Sequence, residues 1–474
     1  MNRLRPGKRS GLLWILPALL SGCAAVPDLG ARPQLRSADS VAATSLAGDA
    51  DAAFPADTWW RDYGDAQLTA LVEEAIAGSP TLAAAEARAR RAEGYAKSAG
   101  AALLPSLSAS GQAAESKQSY NNGIPALFVP HGWNDTGRAS LDLSYEIDFF
   151  GRNRAALRAA TAERTAAAIE ARAARLALAT SVAATYADLG RYTAEREVRV
   201  SALKLREETA ALVRRRVANG LDTKAEQRQA EAAVPVARAD LAAADEAITL
   251  TRNALAALLG AGPDRGATIT PPTSLVPPAA LPSRLSLDLV GRRADIAAAR
   301  ARAEAAGARI DVARAAFYPN VNLLAFVGVQ SLGIGNLTAS GSDIGQAGAA
   351  ISLPIFEGGR LSGNYRQARA DYDEAVAQYD ATLVRAVREA ADAAASQRSV
   401  TQQLAAAREA VAASEEAYGV ARRRYEGGLS PYLAVLSAED ALLASRRLLA
   451  GLQARALSVN VELIRALGGG FQPA

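Results

Sequence analysis

The chain has 474 residues, half of them hydrophobic by count yet only 5% aromatic, so alanine dominates the apolar fraction. So thin a supply of bulky side chains favours long Ala-rich helices packed closely together, although length alone would suggest about three domains of roughly 150 residues. One Cys excludes an intrachain disulfide or thiolate cluster, one His excludes a multi-His metal site, and the formal charge of +4 raises a nucleic-acid reading.

The charge lies at the front. Arg3, Arg5, Lys8 and Arg9 precede the apolar run from Gly11 to Leu20. A basic segment followed by about ten apolar residues reads as an export signal, too short to span a bilayer. It ends in Leu20-Ser21-Gly22-Cys23, which resembles a bacterial lipoprotein signal with Cys23 as the lipidated first residue of the mature chain. Ala24 in place of Asp resembles the outer-membrane sorting class. A covalent lipid on Cys23 is the one attached group expected; no other cofactor, metal or catalytic site is. Without residues 1–22 the basic and acidic groups number 49 each, so no residual charge points to nucleic acid. Residues 24–57, with Pro27, Pro33 and Pro55, read as a tether.

Internal repetition decides the architecture. Leu71, Ala83-Ala84, Arg88 and Pro105 recur 214 residues later as Leu285, Ala297-Ala298, Arg302 and Pro319. Further on the offset is 208, carrying Ser144 to Ser352, Gly151-Arg152 to Gly359-Arg360, and Arg214-Arg215-Arg216 to Arg422-Arg423-Arg424. It also carries Gly220-Leu221 to Gly428-Leu429 and Gly260 to Gly468. The predicted organisation is a signal peptide (1–22), a lipidated tether (23–67), a first repeat (68–260), a Pro-rich linker (261–284), a second repeat (285–468) and a tail (469–474).

Each repeat reads as helix, strand, strand, long helix, turn, helix. The strands have period two. Leu141, Leu143, Tyr145 and Ile147 face one way, and Ser140, Asp142, Ser144 and Glu146 the other. The partner strand sets Leu107, Ala109 and Gly111 against Ser106, Ser108, Ser110 and Gln112. In the second copy Val321, Leu323, Ala325 and Val327 begin one strand, while Ile351, Leu353 and Ile355 finish the other. Such strands suit half-buried hairpins on a soluble domain. They equally suit a transmembrane barrel with Leu141, Leu143, Tyr145, Val321 and Leu323 toward lipid and Ser140, Asp142 and Ser144 toward a wet lumen.

The helices discriminate. From Gly151 to Asn219-Gly220 no Pro intervenes, which predicts about 68 residues and roughly 100 Å of helix. A return helix follows over about 222–260, and the next repeat opens with another over about 290–317. The second copy predicts a long helix from Arg360 to Glu426 and a return helix to about 467. Spacings such as Val198, Leu205, Leu212 and Val435, Leu442, Leu449 suggest coiled-coil packing. Helices of that length build a tube or rod. Four strands cannot close a membrane barrel, so several chains would have to contribute, and three would supply 12 strands. The Gly-, Ser- and Asn-rich loops 115–136 and 331–343 would then lie outside, with His131 as a solvated loop residue.

Trp59-Trp60-Arg-Asp-Tyr-Gly-Asp65 followed by Leu68 and Leu71-Val72 resembles the entry motif of the TolC/NodT outer-membrane efflux family. Tyr145-Glu-Ile-Asp-Phe-Phe-Gly-Arg152, Arg292-Arg293-Ala-Asp-Ile296, Ala315-Ala-Phe-Tyr-Pro-Asn320 and Leu353-Pro-Ile-Phe-Glu-Gly-Gly-Arg360 resemble its other recurring stretches. The one departure is Ala294, where the family usually has Pro. The resemblance implies an α+β membrane protein that assembles as a homotrimer, with a 12-stranded β-barrel in the outer membrane on a long α-helical barrel through the periplasm. It implies a periplasmic membrane-fusion adaptor and an inner-membrane transporter of the RND type as partners, with efflux of drugs, toxic compounds or metal ions. A polypeptide secretion duct is the alternative within the same family.

The hairpins turn at Asn219-Gly-Leu-Asp-Thr223 and Gly427-Gly-Leu-Ser-Pro431. Gly220 and Gly428 suit left-handed helix ends, the Arg triplets complement the helix dipole, and Asp222 or Ser430 is placed to cap the next helix. The resemblance puts Gly220, Leu221, Asp222, Gly428, Leu429 and Ser430 at the adaptor contact, in channels that rest closed and open when hairpins splay. An adaptor lipoprotein would need only one helical hairpin plus β domains that this sequence lacks. An enzyme would need a phosphate loop, nucleophile elbow or ligand cluster, and none is legible.

Overall fold

A computed structural model describes residues 26–41, 55–272 and 292–472; Cys23 and linker residues 273–284 lie outside them. The elements, in order, are α1 (Ala66–Gly78), α2 (Pro80–Ala101), β1 (Ser106–Ser116), β2 (Asn134–Ile147), α3 (Arg152–Ala218), α4 (Lys224–Leu258) and α5 (Pro263–Ala267). After the linker come α6 (Ala294–Ala315), β3 (Asn320–Leu332), β4 (Asp343–Ser352), α7 (Arg360–Glu426) and α8 (Tyr432–Ala466).

The repeat is visible in element lengths. Helices α3 and α7 have 67 residues each, α4 and α8 have 35 each, and α2 and α6 have 22 each. Local chemistry sets the ends. Asp148 accepts from the amides of Asn153 (3.2 Å) and Arg154 (2.9 Å), satisfying two orphan donors at the start of α3. Ala294 opens α6, a first helical position where Pro is merely well suited, so the departure from the family pattern leaves the helix in place. Helix α4 carries Pro235 in its interior, at a cost of roughly 3 kcal/mol. The helix nevertheless continues unbroken and stays tied to α3 beyond it, through Arg196–Asp245 at 2.5 Å and Arg238–Glu207 at 3.0 Å.

The chain divides into two compact units. The first (residues 1–34, 90–167 and 299–378) holds a single antiparallel sheet in the order β1-β2-β3-β4. Its registers pair Leu107 with Leu143, Leu143 with Ala325, Tyr145 with Leu323, and Val321 with Ile351. Strand β4 stops at Ser352, earlier than the sequence pattern suggests, and Leu353 and Ile355 lie beyond it. Pro354 between them has no N–H to continue a ladder.

The second unit (residues 35–89, 168–298 and 379–474) holds the main core. Trp59, Trp60, Leu71, Val72, Val182, Tyr186, Leu189, Leu255 and Ile269 are buried there together. Trp59 meets Trp60 and Tyr63 edge-on at 5.8 and 5.9 Å. The Tyr63 hydroxyl donates to Asn460 Oδ1, and burial raises its pKa. Asp65 accepts from Leu68 N at 2.9 Å, capping α1, and from the Tyr186 hydroxyl at 3.1 Å. The Trp-Trp motif is therefore a plug that fixes α1 onto α3 and α8. In the linker, α5 is unanticipated: Arg265 pairs with Glu74 at 2.7 Å and Ile269 enters the core.

The expected tether is held in its described part. In the first unit Arg369 donates to the carbonyls of Gly30 (3.1 Å) and Ala31, and Tyr372 to that of Pro33 (3.0 Å). In the second, Arg36 N donates to Asp380 at 3.1 Å. These bonds lay residues 30–36 along α7.

Trp59→Ala removes a fully buried indole and is expected to cost ~3–5 kcal/mol. Thermal unfolding of the full chain, followed by circular dichroism, checks it; an unchanged transition would show that the motif is not structural.

Candidate functional site

The sheet comes first. Its strands have 11, 14, 13 and 10 residues, each meeting the roughly 9–11 residues that a tilted strand needs to cross a bilayer. Among the described residues β1 and β4 pair on one side only. The registers put Leu141, Leu143, Tyr145, Val321 and Leu323 on one face, where Leu141 (48%), Leu143 (41%) and Leu323 (41%) are exposed. Ser140, Asp142 and Ser144 share the other face. There Ser110 Oγ, Ser140 Oγ and Asp142 Oδ2 form a triangle of hydrogen bonds at 2.9–3.0 Å. That polar face also carries Leu324 and Phe326, which strict alternation did not flag. Phe326 lies under the Arg138 guanidinium at 4.9 Å.

Exposed apolar groups bracket the strands. Phe128 and Trp133 stand before β2, and Phe149, Phe150, Tyr318 and Phe356 stand near the opposite strand ends. Phe150 stacks on Tyr318 at 4.8 Å. Glu146 and Arg152 are paired at 2.7 Å in the same turn. Aromatic girdles at both rims are the pattern expected of a membrane sheet. Among the described residues no helix is long and apolar enough to cross a membrane.

The hairpin tips lie in the second unit. Leu221 N donates to Arg216 O at 2.9 Å and Gly220 N to Val217 O at 3.0 Å, a Schellman turn that needs the positive φ of Gly220 (+71°). Gly428 (+72°) repeats it with Leu429 N on Arg424 O at 2.8 Å. Neither Asp222 nor Ser430 caps the next helix. Thr223 does so at α4 through a capping box with Glu226, and Pro431 precedes α8 with no side-chain cap. Asp222 is engaged elsewhere: Arg216 donates to it at 2.9 and 3.3 Å, and the Tyr425 hydroxyl donates to Asp222 Oδ2. Arg216 also donates to Tyr425 O at 3.1 Å and lies over its ring at 4.5 Å. Burial and the Asp222 carboxylate raise the Tyr425 pKa. The α3–α4 tip is thereby locked to α7. Leu221 (63%) and Leu429 (71%) point into solvent.

Arg216 and Tyr425 went unrecognised in the sequence. In the sequence Arg216 reads only as a dipole partner, and Tyr425 carries no motif. A signal existed: at the 208 offset Asp222 meets Ser430 and Tyr425 meets Val217, so the copies diverge at the residues that join them.

The outer membrane efflux protein family model matches twice, over residues 71–261 and 285–469. The chain belongs to the outer membrane efflux protein family. Fusaric acid resistance protein FusA of Burkholderia cepacia is 38% identical over 367 residues, covering 74% of this chain and 67% of that protein. Multidrug resistance outer membrane protein MdtP of Escherichia coli K12 is 28% identical over 471 residues, covering 96% and 94%. The crystal structure of the outer membrane protein VceC from Vibrio cholerae superposes with a TM-score of 0.82 at 45% identity, covering 88% of this chain and all of that one. Membership of this efflux family places the protein in the outer membrane as a transport component and not as an enzyme.

Asp222→Ala strands a largely buried guanidinium and a tyrosine hydroxyl, at roughly 1–3 kcal/mol. Amide exchange over 216–226 and 421–429 is expected to quicken about tenfold or more, since ~1.4 kcal/mol is one factor of ten. Exchange equal to wild type would show the trio does not hold the tips.

Proposed function

We propose that the protein is the exit channel of a tripartite efflux pump, passively conducting drugs, toxic compounds or metal ions from a periplasmic adaptor and an RND-type inner-membrane transporter to the exterior. The observation that carries this is the four-stranded sheet, whose two edges have no strand partner among the described residues and whose apolar face is exposed. In lipid those edges must be paired, and three copies supply the 12 strands of a closed barrel. In that barrel Leu141, Leu143, Tyr145, Val321 and Leu323 meet lipid, and Ser140, Asp142 and Ser144 line the lumen. The long helices continue it as a periplasmic tunnel. A lipid on Cys23 adds a membrane anchor of about 0.8 kcal/mol per buried CH₂. The resistance phenotypes in the names of the relatives support small-molecule efflux over polypeptide secretion.

The tips Gly220, Leu221, Asp222, Gly428, Leu429 and Ser430 are the adaptor contact in this reading, the two exposed leucines being its apolar part. The resting channel is closed at this end, held by the Arg216–Asp222–Tyr425 link, and opens when docking shifts the packing equilibrium.

Two measurements follow. Leu143→Arg, facing lipid, is expected to cost ~2–4 kcal/mol and reduce the heat-resistant trimer, whereas Ser144→Arg assembles normally; equal effects would refute the face assignment. In planar bilayers the wild-type channel is expected to conduct poorly alone and Arg216→Ala several-fold better. Large conductance of the wild type without partners would overturn closure at rest. Pull-down of the native inner-membrane partner decides between efflux and polypeptide export.

A further inference from the structure

Two turns of helix above the α8 tip, a carboxylate is buried where water cannot reach it. Glu439 has no exposed surface. Its Oε1 lies 2.9 Å from Arg206 Nε on α3, and its Oε2 accepts from Thr209 Oγ1 at 3.4 Å. Arg206 is shared with Asp440, the next residue on α8, and its Nη1 is buried with no acceptor among the described residues. Thus one guanidinium from the first hairpin serves two carboxylates of the second, and neither bond set is complete. A buried ion pair with imperfect partners repays its desolvation poorly.

Every neighbouring element contributes to that imbalance. Helix α7 presents the Tyr418 hydroxyl, itself in the field of Arg422, and α8 presents Tyr432 two turns nearer the tip. On the other side Arg206 borders a groove of about 320 Å³ between α3, α4 and α8, in which Asp240 faces Arg199 and Arg447. Asp240 is engaged by Arg447 at 3.6 Å, so these charges pair with each other. At the 208 offset Glu439 corresponds to Glu231, which is partly exposed and pairs with Arg228 at 3.0 Å. Burial of the carboxylate is thus peculiar to the second hairpin.

We propose that Glu439, with Arg206 and Thr209, is a proton-operated latch between the two hairpins: a neutral Glu439 tightens their packing and an ionised Glu439 loosens it, so that acidification of the periplasm adds to the closure already made by the Arg216–Asp222–Tyr425 link. The latch rests on the reading of the hairpins as the gate. Its direction follows from linkage. Burial, outweighing Arg206, raises the carboxyl in the packed state from its ordinary 4.5 to about 7. The packed hairpins therefore bind the proton more tightly than separated, solvated ones. Stabilisation of the packed state is complete below the ordinary value and is lost as pH rises to about 7. One proton per subunit changes the open-to-closed ratio by at most about tenfold per pH unit across that window.

The experiment is conductance of the purified full-length channel in planar bilayers from about pH 5 to pH 8, for wild type, Glu439→Gln and Asp222→Ala. Wild type should open several-fold per unit up to about pH 7 and level off above it, while Glu439→Gln stays at the acid level throughout. A wild type indifferent to pH, or a Glu439→Gln channel with the wild-type profile, overturns the latch. If Asp222→Ala still opens the channel in that case, the gate reading survives; if neither pH nor Asp222→Ala matters, both fail. Amide exchange of wild type over 203–212 and 434–443, corrected for intrinsic rates, needs no variant. It should quicken between pH 5 and pH 7 relative to α6, and equal behaviour overturns the latch.

Discussion

Two rows of backbone groups, along β1 and β4, have no strand partner among the described residues, and they constrain much else in this protein. In water such edges invite aggregation; in hydrocarbon each unmatched N–H or C=O costs several kcal/mol. An apolar face on the same sheet leaves lipid as its suitable solvent, and closure by further copies is then the available way to match the edges. In the proposed barrel the helices that enter and leave the sheet would inherit its symmetry, and a chain that repeats its own unit would need fewer copies to complete the ring.

The helices meet that demand with little bulk. Alanine occupies much of the buried surface of α3, α6 and α7, which allows close approach of backbones over many turns. Larger groups are concentrated where position matters. Trp59, Trp60, Tyr63 and Tyr186 form one cluster, and Tyr425, Tyr432 and Val435 form another behind the tips. The first is stapled by Asp65 and Asn460, the second by Asp222. Smaller clusters, such as Val400, Ala407, Leu452 and Ala456, lie between α7 and α8, accompanied by exposed ion pairs each worth about 0–1 kcal/mol. Seams weaker between clusters than within them suit the proposed opening at one end.

Much of this was legible before any coordinates. Gly151, Gly220, Gly359 and Gly428 punctuate the sequence where helices start or stop, and period-two alternation identified β2 and β3. The misses have local causes. Apolar alternation carries the β4 pattern past Ser352, to where Pro354 has already ended the ladder. Helix α5 is only five residues long, within the reach of tertiary packing and beyond that of periodicity. At the tips the residue types were visible but their partners were not. Asp222 has the composition of a cap, and only the approach of α7 explains why Thr223 does that work instead. Long-range pairing between the two copies is what a single sequence conceals.

The strap along α7 is bound through its main chain. Arg369 and Tyr372 reach the carbonyls of Gly30, Ala31 and Pro33, groups that every residue carries whatever its side chain. Two strap side chains add to this, Arg32 reaching Asp311 and Arg36 reaching Asp380, each at 3.4 Å. Over residues 30–33 the information that sets the course is nevertheless held largely by α7, in Arg369 and Tyr372, which read the chain by its carbonyls. Such an arrangement guides a segment along a fixed route and asks little of its spelling.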